Sequence, residues 1–419
     1  MIAFVMVTVL FFLWAIPNNL NDILIRQFMT SFSLSRLQAG LVQSAFYMGY
    51  FLLAIPAGML THRAGYKAGI LTGLLLFATG AVLFWPAAIV DRYSFFLVAL
   101  FVIASGLSFL ETSANPFIAE MGDPRTSERR LNLAQAFNPV GSISGAFLGT
   151  MFIFSGREPD AAQVTAMKAA HRYQAFMHSE TLRVVHPYVV LAGVVFVWAI
   201  LIGLTKFPKV GTERTEHVPG AAGPPGRLLQ THFVTAVLAQ FLYVGAQVGT
   251  WSYYIQYSQE YTKIGEREAG YLLTGTLVAF ALGRFFSAWL MKLVKPDRLM
   301  AAYAVINAML ATVAVLHPGW VGTWCIFVSS FFMSLMYPTI FALGIKGLGD
   351  KTKIGGSIIV MSIVGGAVLT PAMGKLSEMS GGVALAYAVP AVCYCGVALY
   401  SLLTSQPRGL AGLEPVAGD

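Results

Sequence analysis

The chain is short of charge and of cysteine, and it lacks the residue clusters that enzymes need. Only 11% of its 419 residues are Asp, Glu, Lys or Arg, against about 25% in an ordinary soluble domain. With 57% hydrophobic residues, that shortfall excludes a surface wholly in water and places most of it in lipid. The three cysteines, Cys325, Cys393 and Cys395, fall in apolar stretches without metal-ligand spacing. They read as small buried hydrophobes, not as a disulfide or zinc framework. There is no clustered His/Cys set, no activated Ser or Cys elbow and no phosphate-binding Gly loop. A membrane enzyme is therefore the least favoured class, and neither a cofactor nor a metal is expected. A net charge of +8 does not signal nucleic acid, because Lys and Arg stand singly between apolar runs instead of sharing a face. The N-terminus also lacks the basic start of a signal peptide. Met1–Pro17 continues into Asn18–Asp22 and more apolar sequence, as a first spanning helix would.

What is present is a series of apolar runs, each long enough for a bilayer core, which needs about 20 residues per helix. Twelve are predicted, over 3–26, 38–60, 68–90, 93–121, 130–154, 186–205, 232–258, 268–292, 297–316, 319–346, 353–376 and 383–404. The fold class is thus an all-α membrane protein of twelve transmembrane helices. Lys and Arg concentrate in alternate loops, for example Arg63 and Lys67, Arg125 to Arg130, and Lys292 to Arg298. By the positive-inside rule those loops are cytoplasmic and both termini lie inside an inner membrane.

The middle of the chain breaks the pattern. Residues 206–231 are polar and rich in Pro and Gly, which predicts a flexible cytoplasmic linker. It separates a six-helix half at 1–205 from a second at 232–405, with a cytoplasmic tail at 406–419. An internal repeat supports the division. Asn115-Pro116-Phe117-Ile118-Ala119-Glu120-Met121-Gly122 in helix 4 parallels Tyr337-Pro338-Thr339-Ile340-Phe341-Ala342-Leu343-Gly344 in helix 10. Two parallel halves with a substrate site between them near the midplane is a secondary-transporter architecture.

Ionisable residues inside a bilayer are costly, so each needs a reason. Three stand out: Asp22, Glu111 and Arg284. Asp22 closes Asn18-Asn19-Leu20-Asn21-Asp22, a cluster that must line a cavity, a neighbouring helix or a solvated helix end, because unpaired amides do not face hydrocarbon. Glu111 lies near mid-depth in Leu110-Glu111-Thr112-Ser113-Ala114-Asn115-Pro116, where Pro116 allows a kink. A lone carboxylate in a low-dielectric surrounding favours its protonated form and yields the proton when water or a cation arrives. That is what a proton carrier requires, and a structural Glu bonded to helix 5 is the alternative. Helix 5 offers Asn132, Gln135 and Asn138 at i, i+3 and i+6. Helix 7 offers Gln240, Tyr243, Gln247, Trp251 and Tyr254 in one stripe. Amides that donate and accept, interleaved with flat rings, suit the hydroxyl rim and C–H faces of a sugar. An aromatic stripe alone more often means packing. Arg284 reads as structural or gating.

Together these stretches resemble the L-fucose–proton symporter family and its relatives, the glucose/galactose transporters. The resemblance is carried by FFLWAIPNNLNDIL, QAGLVQSAFYMGYFLLAIPAGML, YKAGILTGLLLFATGAVLFWPAA, LETSANPF, RLNLAQAFN, VLAQFLYVGAQVGTWSY, YPTIFALGIKGLG and IVMSIVGGAVLTPAMG, in order over essentially the whole chain. It implies a major facilitator fold, alternating access, and proton coupling through the positions matching Asp22 and Glu111. Sugar contacts are implied at Asn19, Gln135 and Asn138, and at Gln247, Trp251 and Tyr337. One departure concerns the loop between helices 2 and 3. The wider superfamily has an Asp before the basic residue, whereas here His62 precedes Arg63, so closure on that side must draw on other contacts. The expected partners are a small sugar, protons and membrane lipid, with sodium as the alternative ion, no nucleic acid, and a monomeric chain.

Overall fold

The computed structural model describes residues 2–32, 41–153, 161–208 and 230–404. Among the described residues, twelve helical segments follow one another. They are α1 Ile2–Ser31, α2 Leu41–Ala64, α3 Tyr66–Val90, α4 Tyr93–Glu120, α5 Ser127–Gln135 continued by Phe137–Phe152, and α6 Tyr173–Leu204. After the linker come α7 Thr231–Ser252 continued by Tyr254–Thr262, α8 Glu266–Leu290, α9 Pro296–Leu316 and α10 Trp320–Ile345. Then follow α11 Thr352–Met361 continued by Gly365–Ser380, and α12 Ala384–Leu403. Helices are what lipid permits, because each satisfies its own backbone polar groups. Ten of the described helices are long and apolar enough to cross a membrane. α5 falls short of that measure because its opening turns, SERRLNLAQ, are polar.

The side-chain pattern is that of a lipid-embedded bundle. Val190, Phe196 and Leu204 stand exposed, while Glu111, Gln135 and Arg284 are buried. This reverses the arrangement in a water-soluble helix. The helix bounds shift from expectation in one place above all. α6 begins at Tyr173, not at 186, because its first turns carry His178, Glu180 and Arg183, which hide them from a hydropathy reading. A short helix, Ala161–Ala169, precedes it. Most of the expected linker, 209–229, and the tail beyond 404 lie outside the described residues.

Contacts divide the chain into two compact units. The first comprises Met1–Leu60, Ala64–Glu111 and Phe137–Phe207; the second comprises Thr61–Arg63, Thr112–Ala136 and Pro208–Asp419. The grouping follows contacts and not chain order, since the end of α4 and the start of α5 belong to the second unit. Within the first unit α1 packs on α5 and α3 on α6, and α2 closes on α4 where Gly49 meets Phe101 and Ala104. Within the second, α7 packs on α11, α9 on α12 and α8 on α10. These are the same three pairings, six helices later. The repeat extends to one glycine in each unit: a Cβ on Gly141 would collide with the Phe12 carbonyl, and one on Gly365 with that of Phe241. Backbone-to-backbone approach of this kind is how membrane helices gain packing without a hydrophobic driving force.

Candidate functional site

In the first unit the buried carboxylate is held by a tyrosine. Glu111 on α4 is 8% exposed and accepts a hydrogen bond at Oε1 from the Tyr50 hydroxyl of α2, 3.1 Å away. Tyr50 is itself fixed, because the Ser108 hydroxyl, one turn before Glu111, donates to its carbonyl at 3.2 Å. A charge-capable group therefore sits deep in an apolar span with a donor aimed at it, as the cost of burying an unpaired carboxyl demands. The α1 backbone passes through Asn19 and Asp22 as a continuous helix, but the side chains of both lie outside the described residues. Asn138 is half-buried, and its Nδ2 donates to the Phe11 carbonyl of α1 at 3.2 Å.

In the second unit the polar groups form a chain around Arg284. Gln135 is buried, with Nε2 donating to Asn115 Oδ1 at 2.8 Å. Arg284 Nη1 donates to the Gln135 carbonyl at 2.8 Å and to its Oε1 at 3.4 Å. Arg284 Nε donates to the Ser334 carbonyl of α10 at 2.8 Å. The guanidinium also lies 4.8 Å from the centre of the Phe280 ring, a cation–π placement. Edge-on against Phe280 stands Trp251, at 5.1 Å between centroids, with its indole N–H on Ser330 Oγ at 3.1 Å. Tyr337 and Gln247 are partly exposed, and Tyr337 lies close enough to Arg284 for an electrostatic interaction. Pro116 is buried in α4 near Phe341 of α10. Arg63 stands exposed at the end of α2, while Thr61, two residues before it, pairs with Ser113 at 2.8 Å.

Nearer the linker, two contacts join α5 to α10. Glu128, 2% exposed, forms an ion pair with Lys346. One turn on, Asn132 Nδ2 donates to Thr339 Oγ1 at 3.0 Å. The Lys346 carbonyl is met by His232 Nε2 at 2.8 Å. Arg130 caps the end of α4, donating to the Ala119 carbonyl at 2.8 Å and to that of Asp123 at 2.7 Å.

These positions revise two sequence patterns. Asn132, Gln135 and Asn138 do not form one polar stripe: α5 is interrupted at Ala136, so the first two turn to α10 and α4 while Asn138 turns to α1. The α7 stripe is largely packing. Tyr243 and Tyr254 are fully buried, with hydroxyls on the α10 carbonyls of Met333, at 3.0 Å, and Thr323, at 3.3 Å. Glu128 and Lys346 are not among the residues that stand out in the sequence. The one signal that could have found them is their place beside the two halves of the helix 4/helix 10 repeat.

Comparison with known proteins agrees with this architecture. The family described as the Major Facilitator Superfamily matches residues 2–371. The chain is 45% identical over 413 residues to the "L-fucose-proton symporter" of Escherichia coli strain K12, covering 97% of this chain and 93% of that protein. It is 34% identical to a "Glucose/galactose transporter" of Brucella abortus, covering 95% of this chain and 93% of that protein. Among solved structures, a Major Facilitator Superfamily transporter, FucP, in the outward conformation superposes with a TM-score of 0.87 at 44% identity. That match covers 97% of this chain and 99% of the other.

Proposed function

The chain belongs to the major facilitator superfamily, and from that premise we propose that it imports a monosaccharide, L-fucose or a related hexose, together with protons. The observation that carries the reading is Glu111: a carboxyl buried in a membrane span and held by Tyr50, in a chain 45% identical to an L-fucose-proton symporter. Transport runs by alternating access across a bacterial inner membrane, with both termini and the 206–231 linker on the cytoplasmic side. Six-helix halves at 1–205 and 232–405 rock about the substrate, and the chain works as a monomer.

Asp22 and Glu111 take protons while the pathway faces outward. Neutral carboxyls lower the cost of enclosing them in a dry interior. Asn19, Gln135, Asn138, Gln247, Trp251 and Tyr337 contact the sugar, the amides donating and accepting while the indole covers a C–H face. Sugar and proton leave on the cytoplasmic side, and the membrane potential adds about 2.3 kcal/mol per charge per 100 mV. Pro116 supplies a bend in α4, and Arg63 acts at the cytoplasmic gate. Asp22→Asn and Glu111→Gln are expected to abolish uptake driven by a pH gradient while sparing sugar counterflow. Normal concentrative uptake by either variant refutes its coupling role. A second reading, a sodium- or proton-coupled glucose/galactose transporter, is favoured by the 34% identity to such a protein. Replacing sodium with choline at fixed pH separates the ions, and competition against labelled L-fucose separates the sugars.

A further inference from the structure

Arg284 is buried in the second unit, and among the described residues no carboxylate pairs with it. Its charge is met by two backbone carbonyls, the more distant Gln135 Oε1 and a ring face. The identity of those carbonyls is informative. An α-helical carbonyl at i accepts from the N–H at i+4. For Gln135 that residue is Pro139, and for Ser334 it is Pro338. Neither proline has an N–H to give. Each carbonyl therefore lacks its helical donor, one on α5 before the linker and one on α10 after it. A single guanidinium, whose rigid fork presents several N–H groups, serves both at 2.8 Å.

Resting on the alternating-access reading, we propose that Arg284, Pro139 and Pro338 form one device, a tie that holds the linker side of the pathway shut and is released when that side opens. The prolines create the acceptors and the arginine bridges them. Glu128–Lys346 and Asn132–Thr339 join the same two helices nearer the linker. Closure on that side thus rests on α5–α10 and α5–α8 contacts, where the last turn of α2 carries His62 in place of the superfamily's acid. The Gln135 amide ties the device to the sugar site. Its Oε1 faces Arg284 and its Nε2 is spent on Asn115, so a sugar hydroxyl that recruits this amide draws on the same group that steadies the tie. Arg284 is a positioning residue in this scheme.

The test is a distance measurement on the full chain in lipid, with the three native cysteines replaced by Ser. Spin labels go on Arg125→Cys and Asp350→Cys, exposed sites in the loops after α4 and α10. Double electron–electron resonance is recorded without sugar or gradient. Arg284→Gln is expected to raise the ratio of long to short distances roughly a hundredfold, as loss of two charge-assisted hydrogen bonds implies. Arg284→Lys, a point charge that cannot fork, falls between it and the parent. Pro139→Ala and Pro338→Ala each restore a competing N–H and raise the ratio severalfold while keeping the arginine, so the idea survives a misfolded Arg284 variant. Unchanged distributions in all variants overturn it. A shift confined to Arg284 variants overturns the assignment to proline-freed carbonyls. Because no substrate is added, failure to take up L-fucose leaves this result standing and counts only against the sugar reading.

Discussion

Replacing Lys346 by Met should expose how strongly α10 is fastened to α5. The variant keeps most of the aliphatic stem and removes the ammonium, leaving the Glu128 carboxyl, 2% exposed, with the Ser127 hydroxyl at 3.1 Å. Breaking a fully buried ion pair from one side destabilises by about 3–5 kcal/mol. Here the Lys346 side chain is 26% exposed, so water screens part of the attraction and about 2 kcal/mol is the better figure. Glu128→Gln alone should cost about 1–2 kcal/mol, because the amide retains shape and some hydrogen bonding. The double variant leaves no buried charge behind and should be no worse than Lys346→Met. The assay is a double-mutant cycle read by unfolding in mixed detergent and SDS micelles. The expected coupling energy is about 1–2 kcal/mol. Coupling below about 0.5 kcal/mol would refute the reasoning, since it would make the pair an incidental neighbour contact.

Three further outcomes follow from the same geometry. Gly141→Val and Gly365→Val should each destabilise the protein by about 1–3 kcal/mol, seen as earlier unfolding, because the new side chain meets the Phe12 or Phe241 carbonyl. Tyr243→Phe removes the donor on the Met333 carbonyl and should lower stability by about 1 kcal/mol, with sugar uptake retained, if that face of α7 is packing. Trp251→Phe keeps a ring and loses the bond to Ser330; labelled L-fucose uptake should show a severalfold higher half-saturation concentration with maximal rate little changed.

Much of this architecture is legible in the sequence because lipid simplifies the physics. A run of about 20 apolar residues has few alternatives to a spanning helix, so the ends of α4, α9 and α10 fall within a residue or two of expectation. Glu111 is legible for a similar reason: a lone acid in an apolar span stands out. Less legible is anything set by partners far along the chain. Asn132 and Thr339 are 207 residues apart, and Glu128 and Lys346 each look like ordinary loop charges until the fold brings them together. The helix-5 amide stripe misleads because a 3.6-residue period holds only in an unbroken helix, and α5 is interrupted at Ala136, between Gln135 and Asn138. Arg284 announces itself as buried, but its two shorter hydrogen bonds go to backbone atoms, and only the two prolines hint at which ones. Asp22 and Asn19 remain readings from sequence and family.

The central claim is that sugar and proton move together, and one flux measurement tests it most directly. Purified protein is placed in sodium-free liposomes holding a pH-sensitive dye, with no imposed gradient, and L-fucose is added outside. The account predicts that the lumen acidifies as labelled sugar enters, and that Glu111→Gln, in vesicles preloaded with unlabelled L-fucose, admits label by counterflow without acidification. Entry of sugar into the unsubstituted protein's vesicles with no change in lumenal pH would contradict it.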